Sequence, residues 1–466
     1  MLTGQSIAQR GEQASRSTGR LILLDTCAIA SLTVLVKLAG AAKSVIAARF
    51  FGTGNALDCY LAAFLIPSFF SDVLAGAINP TLVPKLIEAA ENGGERAFQG
   101  VYAHAFYRGT LLLSAVSLFV LAAAHSVIRL LGSGFSADKI SLAQTLMIVL
   151  LPVMPLSAIG VVWRSALNAK GRFIAAATSP LLTPLVLIAC VMLFARQYGV
   201  FALSAGTTVG CGAEVLSLAF ALRRAHIPIL PSWRLARISY PHLWQQYASI
   251  VINNLALGSI AVVNQAMAAT LGPGSVSTLA LANRATGLLL TIGPSALMIA
   301  GLPRLAKMVA LHQWAALRRI TLHLMLVSMF LASILCIVLF ALSTPIVRFL
   351  FQGDHFTAAD TLAVAHLQAL SVLQLPFAVG SAILSRILVL LQLKKLLVYI
   401  SASSVFLGLL LNCVFMKPYG LSGIAIATVV GQALVLVMLI AVVSRHLQEV
   451  CRRDLSTAPE ETFSEL

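Results

Sequence analysis

Hydrophobic positions in this chain fall in long, nearly unbroken runs. Twelve runs are apolar all round and long enough for a bilayer-spanning helix, which needs ~20 mostly apolar residues. They lie near residues 25–50, 58–83, 105–130, 142–166, 174–194, 200–222, 246–271, 276–301, 321–343, 361–388, 396–416 and 421–443. Polar turns, many bearing Gly or Pro, separate them. Strands of a membrane barrel would be short and would alternate apolar with polar residues. The pattern therefore predicts helices.

The runs also repeat. Gly52-Thr53-Gly54 aligns with Gly272-Pro273-Gly274, and Val83-Pro84-Lys85-Leu86 with Leu302-Pro303-Arg304-Leu305. Ile128-Arg129-Leu130-Leu131 aligns with Val347-Arg348-Phe349-Leu350, Pro155 with Pro376, Tyr198-Gly199 with Tyr419-Gly420, and Gly210 with Gly431. One offset of about 220 residues relates all these pairs. Each repeat holds six runs, an even number, so both halves run the same way through the membrane. Parallel repeats of this kind are related by an axis along the membrane normal. The expected fold is all-α and integral to the membrane, with two parallel six-helix lobes around a central cavity. The expected organisation is a cytoplasmic segment 1–24, an N-lobe 25–222, a basic cytoplasmic linker 223–245, a C-lobe 246–443 and a cytoplasmic tail 444–466. Trp233 and Trp244 are expected at the membrane interface. Two similar bundles suit alternating access, and Pro67, Pro80, Pro152, Pro155, Pro180, Pro184, Pro294 and Pro376 are natural hinge points.

Charge gives an independent check. The chain carries 32 Lys and Arg against 16 Asp and Glu, a net +16. With the N-terminus inside, about 22 of the basic residues fall on cytoplasmic segments. Arg10, Arg16, Arg20, Arg164, Arg223, Arg224 and Arg237 are among them. About six fall outside, including Arg49, Arg129 and Lys139. This is the positive-inside bias, with both termini cytoplasmic. Most of the charge therefore reports topology and does not call for nucleic acid.

Composition agrees. The chain has 466 residues, 59% apolar and 10% charged, with a mean hydropathy of +0.93. A soluble domain is roughly 45–50% apolar and about 25% charged. A soluble enzyme, a disordered chain and a secreted disulfide scaffold are excluded. Cys27, Cys59, Cys190, Cys211, Cys336, Cys413 and Cys451 are scattered and form no CxxC pair, so no metal or redox motif is expected. The polar first 20 residues do not resemble a secretory signal. No P-loop, HExxH, GxSxG or EF-hand spacing occurs, so neither catalytic residues nor a cofactor is expected.

The informative charges are those inside spans. Each costs about 2.5–3.5 kcal/mol on insertion scales and must face protein or water. Lys37 and Lys43 lie in the first run, Asp72 in the second, Glu214 in the sixth and Arg284 in the eighth. The two lysines point about 120° apart and sit roughly 9 Å apart along a helix axis. Lys37, Lys43 and Arg284 are candidates to hold an anionic group. Lys43 can instead snorkel to the outer boundary, and Arg284 can instead pair with an acid such as Asp72. Asp72 is a candidate for an ion pair or for coupling. Glu214 is expected mainly in packing or at the interface, with an ion pair or a coupling role as its alternatives. His104 and His323 align in the repeat and are expected at the interface.

The stretch Ala47-Ala48-Arg49-Phe50-Phe51-Gly52-Thr53-Gly54-Asn55-Ala56-Leu57-Asp58, followed by Ala62-Ala63-Phe64-Leu65-Ile66-Pro67, resembles the first two helices of the MurJ/MviN family. Leu82-Val83-Pro84, Ala282-Asn283-Arg284, Leu302-Pro303-Arg304-Leu305 and Phe351-Gln352-Gly353-Asp354-His355-Phe356-Thr357 resemble it too. The resemblance covers nearly the whole chain. That family belongs to the multidrug/oligosaccharidyl-lipid/polysaccharide exporter superfamily, whose members include flippases of undecaprenyl-diphosphate-linked sugars such as lipid II. The resemblance implies a bacterial cytoplasmic membrane location and a lipid-diphosphate site at Lys37, Lys43 and Arg284, with lysines at two positions where the family has arginines. It implies membrane lipids and a lipid-linked glycan as partners, with glycan-assembly enzymes as further candidates. No metal is expected, and the energy source is left open between membrane potential and a cation gradient acting through Asp72 or Glu214. Ser71 and Asp72 stand where the family pattern has an arginine pair, its following glutamate is missing, and Gly287 replaces an acid after Arg284. The family's peptidoglycan members also carry two further C-terminal helices. The expected cargo is therefore an exopolysaccharide or other envelope glycan precursor. Lipid II is the alternative, and a drug/cation antiporter or a non-transporting partner of a glycan synthase are further ones.

Overall fold

The computed structural model describes residues 31–457, apart from residues 133, 236–239, 354 and 392. The segment 1–24, Cys27, Arg237, Asp354 and the end of the tail lie outside the described residues. So do the side chains of residues 288–304, which include Pro294, Pro303 and Arg304.

The hydropathy pattern becomes helices throughout. Ser31–Phe51 forms α1, and Asn55–Phe70 forms α2. A π-helical turn, Ser71–Ala75, follows. Next come α3 (Ile78–Ala122), α4 (Ala124–Leu131), α5 (Ala137–Leu150) and α6 (Val153–Ala169). The first repeat closes with α7 (Phe173–Thr178), α8 (Leu182–Tyr198) and α9 (Phe201–Arg224). The second holds α10 (Pro241–Ala269), α11 (Ser275–Ala310), α12 (Trp314–Ala341) and α13 (Ser343–Phe351). It ends with α14 (Ala358–Val372), α15 (Leu375–Leu390) and α16 (Lys394–Thr457).

Among the described residues, 8 helices are long and apolar enough to cross a membrane, or 9 with the bent pair α14/α15 as one span. Two of them are too long for a single crossing, Asn55–Ala122 with 68 residues and Leu396–Val450 with 55. Each is broken at a glycine of positive φ, Gly94 at 65° and Gly420 at 56°. Dividing them there, and adding α11, brings the helical passes into register with the twelve apolar runs.

The repeat is visible in the shape of its elements. The short helix α4 follows α3 as α13 follows α12, and each carries the Ile/Val-Arg pair of the repeat. The pair α5/α6 is divided near Pro152, and α14/α15 bends by 42° just before Pro376. Proline lacks a backbone N–H and clashes with the preceding turn, so a helix breaks there. Gly199 and Gly420 both have positive φ, 55° and 56°. Glycine occupies that region without the Cβ penalty of other residues, which accounts for the repeated Tyr-Gly motif.

The chain forms two compact units. The first holds the described residues up to Ala47, with Ala63–Ile128 and Ile140–Asn254. In it α3 packs on α6, α6 on α9, and α9 on α8. Phe98, Tyr102, Leu113, Met147, Met154 and Leu167 are buried in its core, and the rings of Phe106 and Trp163 stack with centroids 6.2 Å apart. The second unit holds Ala48–Ala62, Arg129–Lys139 and the described residues from Leu255 onward. There α11 packs on α14, α12 on α15, and α15 on α16. Ile383, Ile387, Leu388, Leu317 and Leu439 form its core. This division differs from the boundary at 245/246 drawn from the sequence. Residues 48–62 of the first repeat belong to the second unit, and the start of α10 belongs to the first.

Candidate functional site

The first unit carries charge in its membrane-spanning helices. Lys37 and Lys43 stand on α1, Lys37 exposed and Lys43 half-buried. The Lys43 ammonium lies 5.6 Å from the Phe64 ring centroid. Asp72 sits in the π-turn after α2 and is exposed. Lys37 and then Lys43 are its electrostatic neighbours. Lys37, Lys43 and Asp72 thus fall in the first unit, and Arg284 in the second.

The turn that carries Asp72 is held by its own backbone and by two distant residues. A π-turn closes a wider ring than an α-turn and is frequent at functional sites. Here the Gly76 N–H donates to the Ser71 carbonyl at 3.1 Å. The Tyr247 hydroxyl donates to the Leu74 carbonyl at 3.0 Å, and the Asn254 amide to the Val73 carbonyl at 3.4 Å. A Cβ at position 76 would collide with the Asp72 carbonyl oxygen, so glycine is required there.

Glu214, a candidate for packing, an ion pair or coupling, forms an ion pair here, and its partner Arg164 reads in the sequence only as a cytoplasmic-side charge. The Arg164 guanidinium donates to Glu214 Oε1, and the Thr183 hydroxyl donates to Oε2 at 2.8 Å. Both charged side chains are largely buried, with 24% and 13% of their surfaces accessible. Burial favours this pairing, because an unpaired charge there would be far costlier. Arg164 borders a cavity of about 550 Å³ with Asn79, Pro84, Asn168 and Phe173. His104 is fully buried within the protein. Its Nε2 accepts from the Trp244 indole at 2.7 Å, and Arg108 lies 5.9 Å from the Trp244 ring centroid. His323 is exposed. The basic linker is tied to α3 by the Tyr102 and Tyr107 hydroxyls, which donate to the carbonyls of Pro228 at 3.0 Å and Pro231 at 2.7 Å. Trp233 meets the Tyr107 ring edge-on and remains exposed.

The second unit holds Arg284 on α11. It is half-buried, and Tyr60 is its electrostatic neighbour. This unit also contains contacts that sequence reasoning missed. Asp58 is fully buried, and its carboxylate accepts from the backbone N–H groups of Gly274 at 2.6 Å and Ser277 at 2.8 Å. An acid at the N-terminus of α11 satisfies donors that have no partner within the helix and complements its dipole. The Arg49 guanidinium donates to the carbonyls of Leu350 at 2.9 Å and Phe349 at 2.8 Å, and Thr53 donates to Asp360. The repeated glycine motif preceding Asp58 marks this segment in the sequence, but not its partners.

The second unit also encloses a cavity of about 290 Å³ between α10, α15 and α16. Its polar lining is neutral: Asn264, Ser381, Ser401, Asn412, Thr428 and Gln432 take part. Asn412 donates to Asn264 Oδ1 at 2.6 Å, and Asn264 donates to Thr428 Oγ1 at 3.4 Å. Among the described residues, no group of three His, Cys, Asp or Glu side chains is placed to hold a metal ion.

The comparisons with known proteins agree with this architecture. The family model described as lipid II flippase MurJ matches residues 47–458. A probable lipid II flippase MurJ of Rhizobium meliloti is 28% identical over 367 residues, covering 75% of this chain and 66% of that protein. The chain thus spans about two thirds of the length of that relative. A lipid II flippase MurJ of Burkholderia cenocepacia is 26% identical over 419 residues, covering 87% of this chain and 80% of the relative. Among solved structures, a lipid II flippase MurJ in an inward closed conformation matches with a TM-score of 0.77 at 21% identity, covering 93% of this chain and 91% of that one. An inward-facing multidrug resistance MATE family transporter of the MOP superfamily also matches with a TM-score of 0.77, at 11% identity, covering 91% and 99%. The fold is that of these all-helical, multi-pass membrane proteins. The family consists of membrane flippases and not enzymes, and the chain belongs to the MurJ lipid II flippase family.

Proposed function

We propose that this protein moves a polyprenyl-diphosphate-linked saccharide, with lipid II as the cargo, from the inner to the outer leaflet by alternating access. The observation that carries this reading is the exposed Lys37 beside Lys43 in a membrane-spanning helix of the first unit. Cations at that depth are expensive unless they face water or an anion. Lys37 and Lys43 take the diphosphate, and Arg284 is a separate candidate for binding the cargo. Lysine contributes charge without the bidentate fork of arginine. The names of the curated relatives support lipid II over the exopolysaccharide precursor expected from the sequence. Both termini face the cytoplasm in this reading, on the strength of the positive-inside bias. Membrane potential is a sufficient driving force in sign. An anion leaving a negative interior gains about 2.3 kcal/mol per elementary charge per 100 mV. Glycan-assembly enzymes that make the lipid-linked saccharide are the functional partners.

One observation favours a second cargo. Ser71 and Asp72 occupy places where the family pattern is basic, which fits a different envelope glycan carried on the same diphosphate lipid. Complementation separates the two. A bacterial strain depleted of its own lipid II flippase should survive on this protein. If it lyses while the protein is present in the membrane, lipid II is excluded.

A further inference from the structure

The cavity beside Arg164 in the first unit has no part in the diphosphate reading, and its lining is chemically specific. It measures about 550 Å³ and lies between the start of α3, the end of α6 and the short helix α7. Small-molecule sites are pockets of roughly 300–1,000 Å³. Asn79, Arg164 and Asn168 border it as polar side chains, and Phe173 adds an aromatic ring. Arg164 and Asn79 are each fixed by a neighbour. Arg164 gives its Nη1 to Glu214, whose other carboxylate oxygen accepts from the Thr183 hydroxyl at 2.8 Å. A guanidinium carries five N–H donors in a rigid plane. The ion pair therefore sets the plane and leaves the donors of the other nitrogens to a ligand. Asn79 Oδ1 accepts from the Ser165 hydroxyl at 2.9 Å. That bond fixes the amide and leaves its NH2 group to donate. Asn168 is half-buried and brings both a donor and an acceptor. Phe173 is exposed.

The lining is thus rich in N–H donors and carries an apolar ring, while Glu214 neutralises its one charge. A matching ligand is neutral, dense in oxygen acceptors and apolar on one face. A sugar ring has this make-up, with hydroxyls around its edge and C–H groups on its faces. Those C–H groups suit the electron-rich face of an aromatic ring. A bare phosphate suits the site poorly, because the Glu214 carboxylate already balances Arg164. We propose that this cavity is a saccharide subsite. Arg164, Asn79 and Asn168 hydrogen-bond the sugar's oxygens, and Phe173 packs on its face. This rests on the reading of the cargo as a lipid-linked saccharide. Arg164 is one of the cytoplasmic-side charges in that reading, so the subsite stands on the side from which the cargo is loaded.

The test is binding to purified protein in nanodiscs with two probes. One is undecaprenyl diphosphate, and the other is the same lipid carrying an N-acetylglucosamine disaccharide without peptide. The parent should bind the glycosylated lipid more tightly. Asn168→Ala and Phe173→Leu should each weaken that lipid about fivefold, the size of one neutral contact, and leave undecaprenyl diphosphate within about twofold. Phe173→Tyr, which keeps the ring, should bind as the parent does. Arg164 stays in place throughout, because its loss would leave Glu214 as an unpaired buried charge. Equal losses for both probes in monodisperse variants would assign the cavity to the lipid or its phosphates and overturn the proposal. So would unchanged affinities in both variants, and so would a parent that binds the two probes alike. Lys37→Gln and Lys43→Gln separate the two levels, since they should weaken both probes. If they weaken neither while Asn168→Ala and Phe173→Leu still discriminate, the diphosphate site falls and the saccharide subsite stands. If they weaken both while the cavity variants change nothing, only the saccharide subsite falls.

Discussion

The two units share a repeat but not an interior. In the first, the polar groups within the spans are charged: Lys37, Lys43 and Asp72, and separately Arg164 with Glu214. In the second, the enclosed cavity is lined by neutral amides and hydroxyls, with Asn412, Asn264 and Thr428 linked in a chain. The framework around both is the same. A short amphipathic helix follows the third pass of each, a proline-bearing corner divides the fourth, and a positive-φ glycine turns the chain before the last. The backbone motifs that set the passes are thus separable from the side chains that set the chemistry. The second unit holds charges too, Asp58 and Arg284, but neither lines its neutral cavity.

The comparison can be broken most severely at the cations. Lys37→Ala together with Lys43→Ala should abolish complementation of a flippase-depleted strain, a loss of at least about 100-fold in the export rate if each contributes a charge-assisted contact worth about 1.5–3 kcal/mol. Normal growth of that double variant, with normal protein levels, would remove the diphosphate site from the first unit.

Next comes the Arg164–Glu214 pair. Glu214→Gln keeps the shape and the Thr183 contact but leaves a largely buried guanidinium without its counter-charge. Breaking a fully buried pair costs about 3–5 kcal/mol, and the residual exposure here lowers the expectation to about 2 kcal/mol, read as a fall in the unfolding midpoint in detergent. Arg164→Met combined with Glu214→Leu should recover most of that loss. The neutral chain of the second unit should respond less. Asn264→Ala leaves the Asn412 amide without its acceptor at a cost of about 1–2 kcal/mol, with flipping close to normal. A large flipping defect in Asn264→Ala with little loss of stability would mean that the neutral cavity, too, takes part in transport. The smallest effects test the shared framework. Gly199→Ala and Gly420→Ala should each cost about 1–2 kcal/mol from the left-handed backbone, and the two costs should agree within about 0.5 kcal/mol. Unequal costs would show that the repeat's turns are not mechanically equivalent.

The passes and their repeat were legible because each is a local property. A run of apolar residues specifies a spanning helix wherever it lies, and a glycine or proline breaks the backbone by its own geometry. Lys37, Lys43 and Arg284 were legible for a related reason: a charge in an apolar run stands out against its neighbours. Arg164 did not stand out, because it lies at the end of a run where a topological charge is expected. Its partner is 50 residues away. The partner of His104 was hidden in the same way, since its indole lies 140 residues along the chain.

The sequence by itself therefore determined the membrane class, the positions of the helices, the parallel repeat and the presence of three intramembrane cations. Tertiary structure decided which charges meet. The π-turn at Ser71–Ala75 changes the facing of the residues after it, which no helical periodicity read from sequence anticipates. Asp58 found the N-terminus of α11 across 216 residues, and Glu214 found Arg164 across 50. Hydrophobic burial acts residue by residue and leaves its record in a local pattern. Pairing in a low-dielectric interior depends on a few ångströms between distant segments, and only the packed chain sets those distances.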